Sequence, residues 1–140
     1  PGDFFKMASR SLKPGGRIIF VEPWAGSFGY LFYRFVHHED CARVETPFGP
    51  AFTGNKSPMD GNAMIARQCL VDAETQLRSY GFETIHRSFF GCLSYLLTGG
   101  FQPWSAPKQV IKLLIKIEKF LPQPLMRIIG VRMMIVLEKI

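Results

Sequence analysis

Nowhere does the chain hold an apolar run of the roughly 18 residues that a membrane-spanning helix requires; the best stretches are broken by Arg34 and by Gly91 and Ser94. Transmembrane anchoring is not expected. Paired cysteines are missing too. Cys41, Cys69 and Cys92 are odd in number, widely spaced and outside any Cys-x-x-Cys pair, so neither a disulfide framework nor a zinc site is indicated, and a reducing cytoplasm suits them best. The opening residues, Pro1-Gly2-Asp3-Phe4-Phe5-Lys6, offer neither the basic start nor the apolar stretch of a secretory leader and read as the middle of a longer chain. There is also no Gly-x-Gly-x-x-Gly or Gly-x-Gly-x-Gly, the pattern that lets backbone approach a nucleotide-like cofactor closely. Internal repeats and low-complexity tracts are absent.

What is present is enough for one domain: 140 residues, 47% hydrophobic and 20% charged, with 13 Phe and a mean hydropathy of +0.08. A chain of this size buries about 70% of its unfolded surface, so a composition this apolar leaves a surplus of Phe and Leu that should meet a partner. The net charge of +6 is unevenly placed. Residues 1–106 hold 10 Lys+Arg against 9 Asp+Glu, whereas residues 107–140 hold 7 against 2, a net +5. No recognition motif or groove mixing aromatic and basic residues accompanies this charge, so nucleic acid is not the expected partner.

Periodicity places the elements. Apolar residues at Phe4, Phe5, Met7, Ala8 and Leu12 suit one face of a helix from Asp3, as N-cap, to Leu12, stopped by Pro14-Gly15-Gly16. Arg17-Ile18-Ile19-Phe20-Val21-Glu22-Pro23 is a continuous β-branched run, the pattern of a central parallel strand covered on both faces. Trp24 to Pro58 reads as an irregular insert holding a short aromatic helix at Tyr30 to Val36, and such inserts are commonly functional lids. Helical signs return from Asn62 to Tyr80 and end at Gly81, and Phe82 to Phe90 reads as a strand. Pro107 to Leu121 is the clearest helix. At about 100° per residue, Lys108, Lys112, Lys116 and Lys119 fall in one narrow arc, opposite Val110, Leu113, Leu114, Ile117, Phe120 and Leu121. Pro122 and Pro124 should end it, and Met133 to Glu138 reads as a last buried strand.

The register Phe4-Phe5-x-x-Ala8-x-x-Ser11-Leu12-Lys13-Pro14-Gly15-Gly16-Arg17-Ile18-Ile19-Phe20-Val21-Glu22-Pro23 resembles the helix, Leu-Lys-Pro-Gly-Gly turn and fifth strand of class I S-adenosylmethionine-dependent methyltransferases, of the type 11-like kind. Tyr80-Gly81-Phe82 and the terminal strand follow the same family's order. The resemblance implies that residues 1–140 are the C-terminal half of a Rossmann-like α/β sheet, with an inserted section, Gly99 to Gly130, carrying the amphipathic helix. It also implies a last strand running antiparallel between its neighbours. The implied activity is methyl transfer from S-adenosylmethionine to a small or lipid-linked acceptor. The family's cofactor site lies in the half that precedes this register. Gly26-Ser27-Phe28-Gly29 is not its motif, so no cofactor-binding residue is carried over.

Several residues are candidates for a site. Glu22, at the ligand edge of its strand, is read either as an acceptor contact or as a strand end paired with a basic group. His37-His38-Glu39-Asp40 is the sole cluster of imidazoles and carboxylates. A general base is one reading of His37 or His38 and a solvated or capping role another; a metal would need a third ligand that the sequence does not place. Trp24 and Tyr30, with Phe28, Phe32, Tyr33 and Phe35, either line an acceptor pocket or hold the insert on the core, and Arg34 among them either binds an anionic group of the acceptor or snorkels to water. The lysine stripe is a solvated face or a seat for an anionic membrane surface, which would make the protein membrane-peripheral. Beside the enzyme reading stands a non-catalytic interaction module whose half-sheet pairs with another chain.

Overall fold

The computed structural model describes residues 1–49, 61–98 and 104–140. The remainder of the expected insert, through Pro58, and the first residues of the section from Gly99 lie outside the described residues. The chain is mixed α/β, built on a three-stranded antiparallel sheet.

Helix α1 (Gly2–Ser11) leads through the Pro-Gly-Gly turn into β1 (Arg17–Pro23). Gly15 takes a φ of 77°, a conformation costly to any residue with a Cβ, which is why the turn holds glycine there. Asp3 lies in the first turn of α1 rather than capping it; Pro1 occupies the N-cap. Helix α2 (Ser27–Phe35) begins three residues before the expected aromatic helix. The expected single helix to Tyr80 is three pieces: α3 (Ala63–Arg67), a π-helical turn (Gln68–Asp72) and α4 (Glu74–Ser79). Buried Gln68 helps to explain the interruption. Its side-chain amide bonds both Val44 backbone groups, Oε1 accepting from N and Nε2 donating to O, and so ties the turn to the segment after α2.

Strand β2 (Phe82–Phe90) follows Gly81, whose φ is 84°. A bulge between Thr84 and His86 shifts its alternation, so Arg87 and Phe89, rather than His86 and Ser88, continue the face begun by Phe82 and Thr84. A short helix α5 (Leu93–Leu96) precedes the basic helix α6 (Lys108–Phe120). Pro122 and Pro124 do end α6, but they also open α7 (Gln123–Ile129), since proline's fixed φ suits a helix's first positions. Strand β3 (Arg132–Lys139) closes the chain.

The strand order is β1-β3-β2, with β3 antiparallel to both neighbours. Met133, Ile135 and Leu137 of β3 have no exposed surface and meet Phe5, Leu77, Phe82 and Met126 in the main core. Ile18 and Phe20 of β1 pair with Leu137 and Ile135 and turn the same way. The sequence expectation fails at β1. It is an edge strand among the described residues, its pairing is antiparallel, and it is buried on one face only: Ile19, at 64% exposure, and Val21 lie open. The apolar run reflects a face that none of the described residues covers.

A smaller cluster joins α2 to the rest: Phe32, Tyr33, Cys41, Met64 and Val131. Tyr33 donates its hydroxyl to the carbonyl of Val131 at 2.6 Å, and Trp24 N donates to the same oxygen at 2.9 Å. Gly29, in the middle of α2, sits against backbone: a Cβ there would lie 1.9 Å from the Trp24 carbonyl oxygen and 3.2 Å from that of Gly130. Gly29→Ala should therefore destabilise the chain by about 1–3 kcal/mol or more, because backbone rather than a movable side chain must give way. A urea titration with an unchanged midpoint would refute this account of α2's seating.

Candidate functional site

A cleft of about 360 Å³ opens at the carboxyl end of β1. Its apolar walls are Phe4 and Phe5 from α1, Phe20 from β1, and Ile65, Cys69 and Leu70 from α3 and the π-helical turn. Two carboxylates face it, Glu22 and Glu39. Glu22 is there because strand alternation puts residues 18, 20 and 22 on the core side.

Glu39 arrives by a longer route. Helix α2 ends with His37 N donating to the Phe32 carbonyl at 3.0 Å and Glu39 N to that of Tyr33 at 2.8 Å. Between them His38 adopts a φ of 56°, a left-handed conformation in which histidine is one of the more tolerated residues. The chain turns back and runs beside the start of α3 through a parallel bridge between Asp40 and Asn62. Asn62 then caps α3, its Oδ1 accepting from Met64 N, while its Nδ2 donates to the Ala42 carbonyl. Gly61 leaves room at this junction, since a Cβ there would lie 2.7 Å from Glu39 Oε1.

The candidates of the sequence separate accordingly. His37 does not line the cleft but stands behind it, Nδ1 3.2 Å from Glu39 Oε2, with its ring 5.8 Å from that of Tyr33. His38 is exposed and does backbone work at the end of α2. Trp24 is 3% exposed, its ring tilted against that of Phe89 at 4.6 Å and its Nε1 donating to the Arg127 carbonyl at 2.8 Å. Tyr30 packs on the smaller cluster, and Arg34 is exposed on α2. None of these three lines the cleft. Phe28 and Phe35 line a separate apolar cleft with Trp104. Cys41, Cys69 and Cys92 are free and buried, and burial raises all three thiols, Cys69 to about 11.

Burial in apolar surroundings raises both cleft carboxyls above their ordinary value, and Arg132 partly opposes this at each; at Glu39, His37 opposes it as well. Nothing local in the sequence marks Arg132. It opens β3 opposite Pro23, one position from the Glu22–Met133 pair, so only strand pairing brings it near the cleft. A carboxylate held above its usual range in an apolar cleft is equipped to accept a proton from a bound hydroxyl, thiol or amine. Among the described residues, no three His, Cys, Asp or Glu are grouped to hold a metal ion.

No protein-family model, no curated protein and no solved structure matches the chain.

The raised carboxyls set a pH dependence. A carboxyl whose folded pKa exceeds its unfolded value of about 4.5 binds its proton more tightly when folded, so stability falls as pH rises from that value through the folded pKa. Glu22→Gln keeps the shape and removes the charge. It should raise the melting temperature at pH 7, and the gain over the unsubstituted chain should shrink as pH approaches 4.5. A variant less stable than the parent at pH 7 would show that the Arg132 attraction, not burial, governs Glu22.

Proposed function

We propose that this chain is the C-terminal, acceptor-facing part of a class I S-adenosylmethionine-dependent methyltransferase that acts on a small or lipid-linked acceptor. One observation carries the reading. The strand introduced by Leu12-Lys13-Pro14-Gly15-Gly16 and the strand after Gly81 run parallel to each other, and the last strand lies antiparallel between them. That is the arrangement the resemblance implies for the end of this family's sheet. The open edge of β1 among the described residues and its apolar outer face support it too, because in the proposed whole the edge would pair with a further strand and the face would lie under helices.

The described residues do not by themselves fit the methyl donor. The cleft presents two carboxylates and apolar walls without a glycine-rich turn, and Gly26 and Gly29 are occupied by contact with Trp24. The donor would supply an electrophilic methyl group, and no step of that transfer is assigned to this chain. The proposed part of these residues is on the acceptor side. Phe4, Phe5 and Phe20 exclude water from an apolar acceptor, and Glu39, oriented by His37, or Glu22 receives the proton that a nucleophile gives up.

A second reading rests on the same open strand. With Ile19 and Val21 bare and β1 unpaired on one side among the described residues, the half-sheet would serve as a non-catalytic module completed by another chain. The coding sequence immediately upstream of Pro1 separates the two. The transferase reading requires an in-frame strand, glycine-rich loop and helix there; a stop codon directly upstream would overturn it. Calorimetry of the 140-residue chain with S-adenosylmethionine should give no binding heat, and micromolar binding would refute the statement that the donor site lies outside these residues.

A further inference from the structure

Helix α6 contains 13 residues and buries none of them. Its half-covered side chains, Ile111, Leu114 and Glu118, fall together at about 100° per residue and mark the side turned to the protein. The single acid of the helix is held on that side. Glu118 Oε1 accepts from Ser94 N at 2.8 Å and from Cys92 N at 3.3 Å, and Oε2 accepts from the Ser94 hydroxyl at 2.5 Å. The outward surface therefore carries cations and no anion. Lys108, Lys112, Lys116 and Lys119 are all exposed in an arc of roughly 80°. Beside them, between the lysines and the protein-facing side, lies an exposed apolar stripe of Val110, Leu113, Ile117 and Phe120, the last 88% exposed.

We infer that α6 is the membrane-contacting element of this protein, lying in the plane of an anionic lipid surface with Phe120, Leu113, Ile117 and Val110 among the acyl chains and the four lysines on the headgroup phosphates. An apolar stripe flanked by lysines, on a helix with one strongly charged face, is the pattern of interfacial helices. No helix among the described residues is long and apolar enough to cross a membrane, so contact is in the plane. Trp104, 56% exposed just before the helix, adds an interface-seeking ring, and it shares an apolar cleft of about 470 Å³ with the exposed Leu31 and Phe35 of α2 and Val36 just after it. Charge decides against a second copy as the occupant. Pairing two such stripes antiparallel, across a two-fold axis perpendicular to the helices, would bring the two rows of four lysines to the same side with no outward acid on the helix to match them. This inference stands on α6 and the neighbouring Trp104 and does not depend on the transferase reading.

The test is co-sedimentation of the full chain with vesicles of phosphatidylcholine, with and without about a third phosphatidylglycerol. The chain should pellet with the anionic vesicles and stay in solution with the neutral ones. Its tryptophan emission should shift to the blue on binding, a signal arising from Trp104 because the other tryptophan, Trp24, is already buried. Replacing the four lysines with Gln should weaken binding about tenfold or more. L113S/F120S should do the same while leaving the fold intact, since both positions are exposed. Four results would each overturn the inference: no binding to anionic vesicles, equal binding to neutral ones, binding that survives the lysine replacements, or a concentration-dependent dimer that L113S/F120S abolishes in place of vesicle binding.

Discussion

The fold hangs on β3. It is the last strand in sequence and the middle one in space, so neither β1 nor β2 has a described hydrogen-bonded neighbour until the C-terminal residues arrive. Its alternation delivers Met133, Ile135 and Leu137, all fully buried, to the same face as Ile18 and Phe20 of β1 and Phe82 and Phe89 of β2. The helices α1, α4 and α7 and the π-helical turn contribute Phe5, Leu77, Met126, Cys69 and Leu70 to that core. Just before the strand, Val131 is a second fixed point. Its N–H donates to the Gly91 carbonyl, and its own carbonyl collects Trp24 N and the Tyr33 hydroxyl. One backbone position thereby anchors the end of β1, the seat of α2 and the turn after β2.

The cleft inherits its electrostatics from this arrangement. Strand pairing sets Arg132 near the carboxyl end of β1, and Tyr33's bond to Val131 fixes the end of α2 from which Glu39 turns back. Two acids thus share an apolar cleft with one guanidinium nearby and one imidazole behind them. Coulomb attraction at these partly screened positions offsets desolvation without cancelling it, and both carboxyls stay raised. A cleft that held these groups fully ionised at no cost would make weaker proton acceptors of them.

The parts of this fold legible in the sequence are those with a strong local signal. The apolar runs of all three strands, the stops at Gly15 and Gly81, and α6 with its lysine arc are local patterns. The antiparallel placement of β3 follows only from the family resemblance, since alternation says nothing about direction. β1 misleads because a run apolar on both faces does not say how many of them are covered, and among the described residues only one is. Helix α7 is hidden because Pro122 and Pro124 read equally as a stop and as a start. Of the site, Glu22 can be placed from strand alternation and the edge rule. Glu39 stands in the visible His37-His38-Glu39-Asp40 cluster, but its role depends on a left-handed turn at His38 and on Gly61, 22 positions away, making room. Arg132 has no local signal at all.

The apolar surplus of the composition resolves into two surfaces, and the charges around them tell them apart. At β1, Ile19 and Val21 lie beside an ion pair of Arg17 with Glu138 at 2.8 Å, a balanced border of the kind that rims protein–protein contacts. A strand edge also offers backbone donors and acceptors that only another backbone can satisfy in register. At α6 the backbone is satisfied within the helix, and the border is four cations with the lone acid withdrawn to Ser94. As proposed above, the first surface would meet protein and the second a sheet of negative charge over hydrocarbon. Were both surfaces built for protein, α6 would need an acidic partner matching four lysines in line. Bilayer headgroups present that charge at any rotation of the helix in the plane, without a register to match.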